Sequence, residues 1–177
     1  MSFKKTVLLH LLTAFLCIAF GILICAAQTS LLPHYLDDAF LVPDLLLCMT
    51  LCLGMLAGPI YGSLFGIYAG ILADCTGGFG ICLLPVFYML CGYGAHVCNA
   101  LLPNKKFPVY LAFGALAALG RAIVAVVYVM LSSGNVELLS ICRFVCIPLV
   151  LGTTVALPIT YPAAMLLTIP QRNINHH

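Results

Sequence analysis

The amino-acid sequence predicts an all-α integral membrane protein, a bundle of six membrane-spanning helices with both termini in the cytoplasm. Composition, the length of the apolar runs and the placement of the charges predict it. Of the 177 residues, 64% are hydrophobic and 7% are charged, whereas a soluble domain carries about 25% charged residues. The mean hydropathy is +1.19. The apolar runs are long and continuous, which favours helices over a membrane β-barrel. We predict a single integral membrane domain over residues 1–177.

The elements follow from the apolar runs, because a helix needs about 20 apolar residues to cross the hydrocarbon core, with a range of about 17–25. The first run follows MSFKK and is too long for the apolar part of a signal peptide, so we expect a retained anchor. The last run is long and interrupted by Pro148, Pro158 and Pro162. The predicted spans are 6–27, 42–57, 60–74, 79–102, 109–131 and 138–169.

The run from Leu45 to Ala73 is divided into two of these spans. As one helix it would be roughly 43 Å long at about 1.5 Å per residue, too long for one ordinary span and short for two. Gly58 and Pro59 lie near its middle. Glycine is favoured just after a helix end, and proline as the first residue of the next helix. The sequence therefore predicts two short glycine-rich central helices joined by a tight turn at residues 58–60.

The loop charges support this division. Lys4 and Lys5 precede the first span, and Lys105 and Lys106 follow the fourth. Positively charged loops favour the cytoplasmic side. Both lysine pairs lie on that side only if residues 45–73 enter the membrane and return to the same face, instead of crossing it once. Arg172 then lies inside, and the acidic loop residues lie outside. A re-entrant hairpin entering from the outside returns the chain to the same face, so it stays an alternative to two short, tilted spans.

Glycine recurs at every fourth position through the two central helices, and the next position in that series is Asp74. In lipid, helices associate through close packing and interhelical hydrogen bonds, and small residues let two backbones approach. In the second helix, Gly62, Gly66 and Gly70 (the glycine ridge) form one continuous line with Asp74. It is interpreted either as a packing surface within the fold or as a groove for a partner helix or a ligand. The residues predicted for helix packing or partner binding are Gly54, Gly58, Pro59, Gly62, Gly66 and Gly70.

Four ionisable residues fall within or at the ends of the predicted spans: Asp44, Asp74, Arg121 and Arg143. Charged side chains are costly in a bilayer and indicate function by default. Arg121 lies near the middle of the fifth span, and we expect it to face the interior and pair with Asp74 or Asp44. Both acids are predicted near the outer boundary, as is Arg143. Asp44 also stands in a first helical turn, where the helix dipole favours an acid.

No catalytic or nucleotide-binding motif is present, so we predict no enzymatic activity, cofactor, metal or nucleic-acid partner. The pairs Cys48/Cys52 and Cys142/Cys146 have helical spacing, but no clear histidine or acid partners complete a metal site. We interpret them as small apolar side chains. Cys75 is the thiol expected to be exposed, beside the outer boundary.

The histidines are spread along the chain and do not indicate a site. His10 and His96 fall in predicted spans, and His34 falls in an outer loop. None stands at ligand spacing from an acid. His176 and His177 are either native or part of a tag, so no inference rests on them.

The segment Val42–Tyr93 resembles the rod shape-determining protein family MreD. The resemblance rests on an ordered series of motifs: Pro43-Asp44-Leu45-Leu46-Leu47, then Gly58-Pro59-Ile60-Tyr61-Gly62, then Gly70-Ile71-Leu72-Ala73-Asp74, followed by Gly77, Gly78 and Gly80. One departure is Ile-Leu-Ala in place of the family's leucine pair before the acid. The resemblance covers about a third of the chain, and the remainder agrees in hydropathy and length.

This resemblance implies a non-enzymatic scaffold or regulatory subunit of the peptidoglycan-synthesising cell-elongation machinery, in the bacterial cytoplasmic membrane. It implies direct binding to MreC, and association within the complex with MreB, RodA and a class-B penicillin-binding transpeptidase, besides membrane lipids. The alternative is a substrate-binding S component of an energy-coupling vitamin transporter, which is similar in size and outline. Vitamin pockets normally mix aromatic and polar groups. This chain has no Trp and few polar residues within its spans, which favours the scaffold.

Overall fold

The computed structural model describes residues 3–31, 43–76, 83–101, 106–133 and 146–175. These residues form six α-helices and no strand, which confirms the predicted all-α class. The helices are α1 Phe3–Ala26, continued by a π-helical turn over Ala27–Leu31, α2 Leu45–Ala57, α3 Pro59–Cys75, α4 Leu83–Leu101, α5 Lys106–Ser133 and α6 Ile147–Asn175.

Three helices are long and apolar enough to cross a membrane, through the stretches Leu11–Ser30, Phe107–Leu131 and Ile147–Leu166. Helix α2 is apolar but has 13 residues. Its length is therefore about 20 Å at about 1.5 Å per residue, less than the roughly 30 Å of a hydrocarbon core. Six spans and cytoplasmic termini stay predictions.

Helix α2 lies at the centre of the bundle, and every residue from Leu46 to Met55 is buried. It contacts all five other helices. A helix that is apolar on every side must be enclosed by protein or lipid, which is the position α2 occupies. Helices α1, α5 and α6 instead expose many large apolar side chains, such as Phe15, Leu116 and Val155. The short helix is thus the core, and the long helices form much of its surroundings.

The break between α2 and α3 contains fewer residues than the predicted turn over residues 58–60. Gly58 alone separates the helices, with a φ of 109°, and Pro59 and Ile60 already belong to α3. A φ of this sign is readily adopted by glycine because it lacks a Cβ. Proline suits the first helical position because its ring fixes φ near the helical value. Residue identity at two positions therefore accounts for this reversal of the chain.

Helix α6 contains three prolines. It runs unbroken through Pro148, Pro158 and Pro162, which interrupt the apolar run in the sequence but do not end the helix. Pro148 is in the first turn, where its missing N–H breaks no intrahelical bond. Prolines inside membrane helices are tolerated where neighbouring groups and small local adjustments satisfy the freed carbonyls. The predicted start of this span, at residue 138, lies outside the described residues.

Candidate functional site

Asp44 and Arg121 form an ion pair inside the bundle. Arg121 Nε on α5 lies 3.5 Å from Asp44 Oδ2, and the two side chains are only 14% and 4% exposed. Asp44 precedes α2, and its other oxygen, Oδ1, accepts a hydrogen bond from Leu47 N at 3.1 Å. One carboxylate therefore caps the helix and pairs with the guanidinium. Asp44 was one of the two partners that the sequence left open for Arg121.

Tyr88 on α4 completes this charge cluster of Asp44, Tyr88 and Arg121. The tyrosine is fully buried, and its hydroxyl donates to Asp44 Oδ2. The hydroxyl also interacts with Arg121. From α6, Thr153 Oγ1 accepts a hydrogen bond from Asp44 N at 3.2 Å. The acid is therefore tied to α4, α5 and α6 at one point, and these contacts partly offset the cost of burying a carboxylate.

Asp44 is enclosed by the other helices, and its position relative to the membrane boundary stays a prediction. Its partner Thr153 stands six residues after the first residue of α6, Ile147. At about 1.5 Å per residue this is a distance of about 9 Å along the helix. The start of α2 therefore packs against the second turn of α6. Asp44 is consequently enclosed, with 3% of its surface exposed.

Asp74, in the last turn of α3, lies near the same guanidinium. It interacts electrostatically with Arg121. Both of its carboxylate oxygens are buried, and no hydrogen-bond donor reaches them from the described residues. The region thus holds two carboxylates and one guanidinium among the residues that the structure describes. Arg143, the fourth charged residue predicted for this network, lies in 134–145, outside those residues.

A polar cavity of ≈ 170 Å³ adjoins the charge cluster. It lies where the C-terminal part of α1 and its π-helical turn meet the start of α2 and the end of α3. Its polar lining residues are Gln28, Thr29, Asp44, Thr76, Tyr88 and Arg121. The cavity therefore contains hydrogen-bonding groups of both kinds beside a buried ion pair, and it can hold a small polar group or ordered water.

The glycine ridge contacts the backbone of α4 within the fold. A Cβ added to Gly66 would lie 2.5 Å from the Tyr88 carbonyl oxygen. A Cβ on Gly70 would meet the backbone of Pro85, and one on Gly62 would meet both Gly54 and Gly92. Such contacts are impossible for real side chains, so α3 and α4 approach this closely only with glycine there. Gly58, in contrast, has open space around the Cβ position.

Tyr88, Thr153 and Gly92 were not among the site residues predicted from the sequence, although each belongs to these contacts. Gly92 faces the Gly62 carbonyl, so the ridge has a glycine on both helices. The spacing of Tyr88, Gly92 and Ala95 at i, i+4 and i+7 marks one helix face, and all three are buried. That spacing could have identified the buried face of α4 from the sequence. Nothing in the local sequence distinguishes Thr153 from the adjacent Thr154.

The cysteines and histidines considered in the sequence do not belong to the charge cluster. Cys48 and Cys52 are buried, and no group of three or more metal-binding side chains occurs among the residues described. Cys48 Sγ instead contacts the Thr153 carbonyl at 3.7 Å. Cys75 is exposed. Cys142, His34 and His177 lie outside the described residues.

The comparisons with known proteins give no relative from which to read the role of this cluster. No protein-family model, curated protein or solved structure matches the chain.

Proposed function

We propose that the chain is a non-enzymatic scaffold or regulatory subunit of the bacterial cell-elongation machinery, acting in the cytoplasmic membrane and binding MreC directly. MreB, RodA and a class-B penicillin-binding transpeptidase associate with it through that complex. The proposal rests on the ordered motifs between Val42 and Tyr93 that resemble the MreD family. Six membrane spans with cytoplasmic termini are part of the same proposal.

The observation that carries the proposal is that each motif contributes a residue that begins, ends or packs one of the central helices. Asp44 of the first motif caps α2 and pairs with Arg121. Gly58 of the second motif separates α2 from α3. Gly70 of the third lies against the Pro85 backbone. The motifs thus coincide with the contacts that build the helix pair, as residues characteristic of a shared architecture should.

The partner surface follows from the same contacts. MreC is anchored by a single membrane helix, which needs an accessible face to bind. The glycine ridge is already occupied by α4, so it offers no free groove. We infer that MreC contacts an outward face of the long helices, which expose large apolar side chains. The ridge supports this binding by holding the bundle together.

The second candidate function, an S component that binds a vitamin, is favoured by the polar cavity. The cavity is ≈ 170 Å³, whereas pockets for small molecules usually measure about 300–1,000 Å³. A vitamin would therefore require the helices to separate. The scaffold needs no such change, and for this reason it is the function proposed.

Depletion of the protein in its bacterium tests the two candidates. We expect depleted cells to lose their rod shape, and a tagged copy to crosslink to MreC in the membrane. Re-expression of the wild-type chain should restore both. Unchanged shape with lost uptake of a vitamin would replace the scaffold by the S component. An MreC-like reading frame beside the gene would favour the scaffold, and a pair of transporter ATPases the alternative.

A further inference from the structure

We propose that the polar cavity and a neighbouring apolar groove together hold one aminophospholipid, with its primary ammonium group in the cavity and an acyl chain in the groove. The apolar groove is the ≈ 280 Å³ cleft lined mainly by α1 and α3, through Ala14, Cys17, Ile18, Tyr61, Leu64 and Tyr68. This site is independent of the proposed function and adds a ligand to the bundle.

The cavity wall is rich in hydrogen-bond acceptors. Thr29 Oγ1 donates its proton to the Cys25 carbonyl at 2.9 Å, and Thr76 Oγ1 donates to the Leu72 carbonyl at 2.9 Å. Both hydroxyls therefore present only lone pairs to the cavity. Gln28 Oε1 is buried, and none of the described residues donates to it. A ligand that supplies N–H groups satisfies these oxygens.

The charges favour a cation. Asp44 and Asp74 contribute two carboxylates, and Arg121 contributes one guanidinium, within the described residues. Asp44 is already paired with the guanidinium, while neither Asp74 oxygen receives a hydrogen bond from those residues. The Asp74 side chain is not part of the cavity lining, although the adjacent Ala73 is. Buried carboxylates require a compensating charge, and an ammonium group in the cavity reduces the excess of negative charge in this region.

The position of the groove indicates a lipid as the source of the ammonium. The groove and the cavity lie on the same α1–α3 seam, because α1 contributes Ala14 and Ile18 to the groove and Cys25 and Gln28 to the cavity. Ile18 and Cys25 are about 10 Å apart along the helix, at about 1.5 Å per residue. Tyr68, which lines the groove, donates through its Oη to the Ile18 carbonyl at 3.0 Å. A phospholipid places its polar head and its chain at such successive depths.

The chemistry of the head group distinguishes lipids that share the same chains. Phosphatidylethanolamine carries a primary ammonium with three N–H donors. Phosphatidylcholine carries a quaternary ammonium without any donor, and phosphatidylglycerol carries no cation. Only the first meets both the charge and the hydrogen-bonding requirements of the cavity. The cavity of ≈ 170 Å³ has room for roughly five groups of water size at about 30 Å³ each, enough for an ethanolamine head.

Native mass spectrometry of the full chain tests the proposal, after exchange into micelles containing equal amounts of these three lipids with identical chains. We expect phosphatidylethanolamine to be retained about tenfold more than phosphatidylcholine, the ratio that one charge-assisted hydrogen bond confers. Asp74→Asn and Gln28→Leu should each bring the ratio close to one. Equal retention of the two lipids by the wild-type protein would overturn the proposal.

Two further variants test the groove. Ala14→Trp fills the groove without touching the cavity, and it should reduce lipid retention about tenfold. Leu116→Trp adds the same side chain at an exposed position of α5, outside the groove, and should change nothing. If Ala14→Trp retains phosphatidylethanolamine and free ethanolamine displaces it, the site takes a soluble amine and the lipid assignment is wrong. These measurements need neither MreC nor a cell, so their failure is distinct from failure of the proposed scaffold.

Discussion

The Asp44 carboxylate meets the Arg121 guanidinium in the interior of the bundle, with Oδ2 and Nε 3.5 Å apart. The pair joins the first turn of the short central helix α2 to the middle of the long helix α5. It also receives the hydroxyl of Tyr88 from α4. Because each of the three groups satisfies another, removal of one leaves a polar or charged group without its protein partner in the interior of the bundle. This dependence can be measured.

Arg121→Met should be strongly destabilising, because it leaves the Asp44 charge buried without its partner. We expect the free energy of unfolding to fall by about 3–5 kcal/mol, measured by denaturant titration in detergent micelles with helicity as the signal. Ile123→Met on the same helix is the control, since Ile123 is 63% exposed. Adding Asp44→Asn to Arg121→Met should recover part of the loss. No recovery in the double variant would mean that the charge is not the cause.

Tyr88→Phe removes the hydroxyl but keeps the ring within the core. A hydrogen bond to a charged group contributes about 1.5–3 kcal/mol, so we expect a loss of that size in unfolding free energy. Tyr93→Phe, at an exposed position of the same helix, should have little effect. Equal stability of the two variants would show that the hydroxyl of Tyr88 does not support Asp44.

Gly66→Ala tests the contact between α3 and α4. The added Cβ would lie 2.5 Å from the Tyr88 carbonyl oxygen, so the two backbones must separate. We expect a loss of about 1–3 kcal/mol from overpacking, and failure to assemble for the larger Gly66→Leu and Gly70→Leu. Gly120→Ala is the matched control, because its Cβ meets only the Phe87 ring at 3.1 Å, and a ring can shift. In thermal unfolding in the same detergent, Gly66→Ala should unfold at a lower temperature than Gly120→Ala.

Gly58→Ala tests the backbone alone. No atom lies within 4 Å of the added Cβ, yet the φ of 109° is rarely adopted by a residue with a side chain. We expect a loss of about 1–3 kcal/mol from backbone strain without any steric contact. The measurement is the free energy of unfolding, with Gly120→Ala again as the comparison. A stability equal to wild type would indicate that the chain reverses at this point without needing glycine.

Labelling of Cys75 tests the predicted orientation. Cys75 is exposed at the end of α3, whereas Cys48 and Cys52 are buried. In intact cells, a membrane-impermeant maleimide should label the wild-type protein at Cys75, and Cys75→Ser should lose that labelling. The predicted topology places this end of the bundle outside the cytoplasm. Labelling of Cys75 only in permeabilised cells would mean that this end of the bundle lies in the cytoplasm, opposite to the predicted orientation.

Local chemistry in the sequence determined the helical class and the position of the central break. High hydrophobicity without charges requires backbone groups to be satisfied within each segment, which predicts helices. Gly58 and Pro59 act through their own φ preferences, so the break could be predicted without knowledge of any neighbour. The six described helices follow the order of the six predicted segments, and whether each of them crosses the membrane stays a prediction.

Tertiary structure decided which groups meet. Charge balance alone allowed Arg121 to pair with either acid, and the packing of α5 against α2 brings Asp44 to the guanidinium. The role of Tyr88 depends on the rotation of α4, and the burial of the glycine ridge depends on Gly92 across the interface. The continuous course of α6 through its prolines likewise depends on its surroundings. These contacts join residues far apart in the chain, and no local propensity encodes which faces of two helices will pack together.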